Sequence, residues 1–195
     1  MLLGLKQISI VYLKTKITGL FINRPIIFET NIRHQIVNSM KILMVCLGNI
    51  CRSPLAEGIL KHKLKEEGLD WKVDSAGTGL WHIGEPPDPR SVSIARKYGL
   101  DISRQRARQI QPTDLDTFDL ILAMDSSNYQ DILRLAKTNQ QKQKVAMILN
   151  YIAPGSNLNV PDPYWNDDGF DQVFRMLEEA CEKVVEQYRQ VGEEG

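Results

Sequence analysis

Cysteine and histidine are scarce in this chain, with three of each in 195 residues. Three cysteines (Cys46, Cys51 and Cys181) are too few for a disulfide framework, and they lack the paired spacing of zinc ligands. Their free thiols instead point to a reducing compartment, so a cytoplasmic protein is expected. His34, His62 and His82 do not cluster, so no metal and no cofactor is expected. The formal net charge is zero, which removes bulk attraction to nucleic acid or to a membrane surface. Long apolar runs are missing too. Lys14 and Lys16 interrupt the N-terminal apolar residues well short of a bilayer span. What remains is 43% hydrophobic residues, enough to fill the core of one ordinary domain.

The neutral total hides an asymmetry. Residues 1–39 carry five Lys/Arg and one acidic residue, leaving 19 basic against 23 acidic residues in the remainder. This segment lacks the basic-then-apolar pattern and small-residue cleavage site of a signal peptide. Met40 stands directly before the first strong strand. Residues 1–39 therefore read as an N-terminal extension, either disordered or translated from upstream of a start at Met40, and residues 40–195 as the domain.

From Met40 onward, apolar strands alternate with amphipathic helices. Strands are expected at 41–46, 71–75, 119–124 and 144–149. Helices are expected at 55–67, 89–98 and 126–136, with a final one over 170–188. That last helix carries Phe170, Val173, Phe174, Leu177, Cys181, Val184, Val185 and Tyr188 at 3.6-residue spacing. The glycine- and proline-rich stretches 77–89 and 150–168 read as loops. Four apolar strands separated by helices imply an α/β three-layer sandwich: a central four-stranded parallel sheet flanked by helices, Rossmann-like. Ligands of such sheets bind beyond the C-terminal strand ends.

One turn at such an end draws attention. Cys46-Leu47-Gly48-Asn49-Ile50-Cys51-Arg52-Ser53-Pro54 connects the first of these strands to its helix. Backbone amides of a strand-to-helix turn can surround an oxyanion and set it on a helix N-terminus. The same helix terminus and a neighbouring guanidinium favour a thiolate, which would make Cys46 a nucleophile. Gly48 is expected to supply the backbone freedom that turns the amides inward. Arg52 offers a planar fork matching two phosphoryl oxygens. Ser53 can donate to the sulfur, and Asn49 can tie the loop through its amide. A cysteine at a strand end is equally well a small buried hydrophobe, and a Cys–Arg pair six apart is common.

Residues 45–54, Val-Cys-Leu-Gly-Asn-Ile-Cys-Arg-Ser-Pro, resemble the active-site signature of the low-molecular-weight protein tyrosine phosphatases. The resemblance continues in order through Asp74-Ser-Ala-Gly-Thr78, Trp81, Pro87-Asp-Pro-Arg90, Ala107-Arg-Gln-Ile110, Ala123-Met-Asp125 and Val160-Pro-Asp-Pro-Tyr164. It implies the Rossmann-like fold of the phosphotyrosine phosphatase I type over residues 40–195. It also implies Cys46 as nucleophile, Arg52 with the amides of Leu47 to Cys51 as the phosphate grip, and Asp162 as general acid and base. A carboxyl held over a bound anion favours its protonated form, which suits that role. Trp81 and Tyr164 would wall the substrate cleft, and Asp125 would support the arginine. Cys51 matches the family's second loop cysteine, which can form a reversible disulfide with the nucleophile. Cys181 belongs to the core. The implied partners are tyrosine-phosphorylated proteins as substrates, with no nucleic acid and no membrane, and the chain itself is expected to be a monomer or weak dimer.

Two residues depart from the family pattern. Gln105 stands where many members carry a histidine supporting the loop serine, and Trp165 replaces the second of two adjacent tyrosines. Rival readings stay open at this point. A relative that acts on phosphoarginine has threonine where this chain has the apolar Ile50, and an arsenate-reducing relative needs shuttle cysteines beyond the loop. A catalytically inactive phosphate-binding module is the remaining rival.

Overall fold

The computed structural model describes residues 12–17, 20–25, 39–165 and 169–193. Within the expected extension, β1 (Tyr12–Ile17) and β2 (Leu20–Pro25) pair antiparallel as a separate two-stranded sheet. Residues 1–11, 18–19 and 26–38 lie outside the described set, and most of the expectation for that segment lies there with them.

The domain proper is built on a four-stranded sheet of β3 (Lys41–Cys46), β4 (Lys72–Gly77), β5 (Leu120–Ala123) and β6 (Val145–Met147). The spatial order is β4-β3-β5-β6 and every pairing is parallel. Chain order reverses at β3, which has β4 on one side and β5 on the other. The crevice beyond a strand of that kind is where open α/β sheets bind ligands. Cys46 ends that strand, in register with Gly77.

The strand residues alternate between two cores, and this alternation makes the three layers. Ile42, Met44 and Cys46 face one core together with α1 (Arg52–Glu66), α2 (Pro89–Lys97) and α6 (Gly169–Glu193). Leu43 and Val45 face the other, with Leu115 of α3 (Asp114–Thr117) and Ile132 of α4 (Ser126–Leu135). The α6 stripe lies as its periodicity predicts. Phe170, Val173, Phe174, Leu177, Cys181, Val184 and Val185 are all buried, each worth about 1.5–3 kcal/mol of apolar transfer. The Cys181 thiol packs against α1, 3.7 Å from the Ala56 carbonyl oxygen.

The element boundaries shift in places that matter. Helix α1 begins at Arg52 rather than Leu55, so Arg52 and Ser53 already sit in its first turn. The expected strand 144–149 is shorter, because Ile148–Tyr151 turns as a 3-10 helix after β6. A short helix precedes β6, α5 (Asn139–Gln143), closed by a Thr138–Gln141 capping box.

Candidate active site

The turn after β3 closes tightly around the Cys46 sulfur. The Asn49 N–H donates to Sγ across 3.2 Å, and the Ser53 hydroxyl lies 3.0 Å from it. Asn49 is the residue with unusual backbone, at a φ of 56°. The expectation placed that freedom on Gly48, which is not in the left-handed region. Asparagine tolerates that region better than other side-chain-bearing residues, and here its side chain is also held in place. At Gly48 the missing side chain instead makes room for a neighbour, since a Cβ would meet His82 Cδ2 at 3.1 Å.

Donor and acceptor counting fixes the direction of the bonds behind the loop. The Asn49 side-chain oxygen accepts from the Arg108 N–H at 2.9 Å, which leaves its Nδ2 as a pure donor. Nδ2 donates to Ser53 Oγ and to Ser75 Oγ, each at 2.9 Å. The Ser75 hydroxyl in turn donates to Glu57 Oε2 at 2.6 Å. Ser53 then has two acceptors for its proton, Cys46 Sγ at 3.0 Å and the Ala76 carbonyl at 3.4 Å. The sulfur is the nearer of the two. Asn49, Ser53, Glu57 and Ser75 are all buried, so water does not compete for these bonds.

Gln105 does not replace the expected histidine in this network. Its amide donates to the Pro54 carbonyl across 3.2 Å, while its oxygen is buried without a partner. Ser53 draws its support from Asn49 instead.

Arg52 is buried and held from behind. Its Nη1 donates to Asp125 Oδ2 at 2.7 Å and to the Val160 carbonyl at 3.1 Å. Asp125 is itself fixed as the N-cap of α4, accepting from the Asn128 N–H. This clamp turns Nη2 toward Asp162, whose Oδ2 lies 3.9 Å away. The loop carrying Asp162 is pinned by the Val160 N–H to the Met124 carbonyl and by Arg90 to the Tyr164 carbonyl. Arg90 also stacks over the Tyr164 ring, 4.9 Å from its centre.

These groups open on one cavity of about 210 Å³. Cys46, Leu47, Gly48, Ile50, Cys51, Arg52, Trp81, Asp162 and Tyr164 line it, together with His82. Asn49, Ser53 and Asp125 stand behind as supports. The cavity suits one phosphorylated side chain rather than a cofactor-sized ligand. The side chain of Trp165 lies outside the described residues. Cys46 and Cys51 are free thiols. Burial, aided by the Asp88 carboxylate, pushes the Cys51 thiol up to about 12.

Several participants escaped the sequence reading. His82 was seen only as a non-ligand, and Ser75 and Arg108 only as parts of a pattern. Glu57 carries a usable signal, since it is a carboxylate next to the apolar residues Leu55, Ala56, Ile59 and Leu60 and is buried with them. Gly77 carried another. A Cβ there would meet the Leu47 carbonyl oxygen at 2.8 Å and the Asn49 nitrogen at 3.1 Å.

Comparison with known proteins identifies the family. The family model for low molecular weight phosphotyrosine protein phosphatase matches residues 41–194. A putative low molecular weight protein-tyrosine-phosphatase of Synechocystis is 46% identical over 149 residues, covering 75% of this chain and 94% of that protein. The low molecular weight phosphotyrosine protein phosphatase of Schizosaccharomyces pombe is 40% identical over 143 residues, covering 71% and 90%. Among solved structures, a protein tyrosine phosphatase from Entamoeba histolytica with Hepes in its active site superposes with a TM-score of 0.73 at 36% identity, covering 77% of this chain and 97% of that one. The chain belongs to the low molecular weight phosphotyrosine protein phosphatase family.

Proposed function

We propose that this chain is a protein-tyrosine-phosphatase that hydrolyses phosphotyrosine, and small aryl phosphates, through a cysteinyl-phosphate intermediate. The observation that carries the reading is the convergence on one small cavity of a sulfur hydrogen-bonded by Asn49 and Ser53, a clamped guanidinium and a loop carboxyl. In the first step the Cys46 thiolate attacks phosphorus and the bond to the aryl oxygen breaks. Asp162 gives its proton to that leaving oxygen. Arg52 and the loop amides follow the equatorial oxygens into the transition state. In the second step the Asp162 carboxylate takes a proton from water, the water oxygen attacks phosphorus, and the P–S bond breaks. Ser53 donates to the departing sulfur, which lowers the cost of regenerating the thiolate.

The catalytic unit of the proposal is residues 40–195, with residues 1–39 as an accessory extension. Its substrates are tyrosine-phosphorylated proteins. Among the described residues no helix is long and apolar enough to cross a membrane. The described cysteines are all free thiols, which fits the reducing, cytoplasmic setting the reading assumes.

A leaving-group series tests the assignment. In kcat/KM, which reports the first step alone, Asp162→Ala is expected to lose about 10²–10⁴-fold on phenyl phosphate, the range of general acid catalysis, and far less on aryl phosphates whose phenolate leaves unaided. Equal losses across the series would remove Asp162 as the acid. Faster turnover of phosphoarginine or arsenate than of phosphotyrosine would reassign the substrate.

A further inference from the structure

Exposed large apolar side chains are unevenly distributed over this molecule. Among the described residues six are exposed: Leu47, Leu80, Trp81, Ile83, Tyr164 and Leu158. Leu47, Trp81 and Tyr164 line the active-site cavity, and Leu80 and Ile83 flank Trp81 in the chain. Leu158 neither lines that cavity nor neighbours Trp81 in the chain. Leu80 and Ile83 are 61% and 57% exposed, so folding gains little from either. Exposed apolar side chains gathered beside a cavity are the usual mark of a binding surface.

The loop that carries them is fixed to the phosphate-binding turn. The Thr78 and Gly79 N–H groups donate to the Cys46 and Leu47 carbonyls at 3.0 and 2.8 Å. At the far end the Gly84 N–H donates to the Ala107 carbonyl, and the Ala107 N–H to that of Glu85. His82 Nδ1 and Glu85 Oε2, 2.7 Å apart, close the turn between them. The Trp81 ring lies so close over Gly79 that a Cβ there would overlap it at 2.2 Å. Leu80 and Ile83 are thus held at a set position relative to the Cys46 sulfur.

We propose that Leu80 and Ile83 form, with Trp81, an apolar shelf that receives the residues flanking phosphotyrosine in the substrate chain, so that the enzyme prefers phosphopeptides with apolar side chains at those positions. The proposal rests on the phosphatase reading above and names the substrate class of that same site. Its occupant follows from continuity. A phosphotyrosine seated in the cavity anchors its chain, and neighbouring residues, each advancing about 3.3–3.6 Å, must cross the mouth beside Trp81. The opposite rim has a different character. Arg90, which stacks over Tyr164, also lines a separate groove with Lys97, Asp171 and Arg175, where Lys97 and Arg175 are paired with Asp171.

The test uses the full chain and three phosphotyrosine peptides, with Leu, Ser or Glu on both sides of the phosphotyrosine, alongside p-nitrophenyl phosphate. The wild type should favour the Leu peptide over the Ser peptide by about tenfold in kcat/KM, the scale of a modest apolar contact. The double variant Leu80→Ser/Ile83→Ser should lose that preference and keep its rate on p-nitrophenyl phosphate, which does not reach the shelf. Equal rates on all peptides, preference for the Glu peptide, or an equal loss on p-nitrophenyl phosphate would overturn the shelf. So would a dimer in sedimentation velocity that the double variant dissociates while peptide preference is unchanged. Failure of the wild type to turn over p-nitrophenyl phosphate would instead overturn the phosphatase reading itself.

Discussion

The side-chain amide of Asn49 donates to the hydroxyl of Ser53 across 2.9 Å while the Asn49 backbone sits at a left-handed φ of 56°. One residue therefore shapes the phosphate loop twice, through its backbone and through its amide. Two substitutions separate these contributions. Asn49→Gly keeps the backbone without strain but loses the amide, so it should fold well and turn over slowly. Asn49→Ala loses both and should be less stable than Asn49→Gly by about 1–2 kcal/mol, the left-handed penalty. Urea unfolding and p-nitrophenyl phosphate turnover on both variants check this. Full activity in Asn49→Gly would dismiss the amide's role.

Gly77 makes a sharper case for geometry over stability. A Cβ there would press on the Leu47 carbonyl oxygen and the Asn49 nitrogen, and both belong to the loop. Gly77→Ala should cost about 1–3 kcal/mol, as overpacking does. Its turnover should fall by about 10²-fold, because a displacement of about 1 Å is that expensive at a reacting centre. Kinetics measured well below the unfolding midpoint separate the two effects.

The parts of the site that the sequence showed and hid differ in kind. The turn 46–54 was legible because strand, glycine, cysteine and arginine fall in one contiguous stretch. The α6 stripe was legible because its burial follows a single period. Arg108 was not, because it acts on Asn49 through a main-chain N–H, and main-chain groups carry no residue identity. The α3 helix escaped because four residues give no period to read, and its Asp114 matters through an ion pair with Arg108. The special conformation was expected at the glycine by composition and fell on the asparagine, whose amide has three partners holding it there.

Asp88 links stability to pH. It caps α2 by accepting from the Arg90 N–H. The Arg90 side-chain bonds beside it hold its carboxyl below the usual carboxylate range. A depressed folded value means the stabilisation is present above the unfolded value of about 3.9 and is lost as pH falls below it. Asp88→Ala should therefore cost about 1 kcal/mol near neutral pH, and the gap from wild type should shrink at about pH 3. Urea titrations at the two pH values measure this, and an undiminished gap at the lower pH would contradict it.

Cys51 sets a kinetic condition on any redox protection of Cys46. Its thiol, pushed up to about 12 by burial and by Asp88, is largely protonated at neutral pH. A thiolate is needed to attack oxidised Cys46 and form the disulfide. After a peroxide pulse, Cys46–Cys51 bond formation should speed up about tenfold per pH unit between about pH 7 and 9. Trapping with a thiol alkylator at timed intervals reads that rate. A pH-independent rate would show that Cys51 is not the limiting nucleophile.

The proposed mechanism carries a phosphoryl group on the Cys46 sulfur between its two chemical steps. Rapid mixing of the Asp162→Ala variant with p-nitrophenyl phosphate, followed by quenching and peptide mass analysis, tests it most directly. That substrate loses its phenolate without an acid, while the variant lacks the base for the second step, so the intermediate should accumulate. One added phosphoryl mass is expected on the peptide containing Cys46, absent from the Cys46→Ser control. Nitrophenolate release with that peptide unmodified, or with the phosphoryl group on another residue, would contradict it.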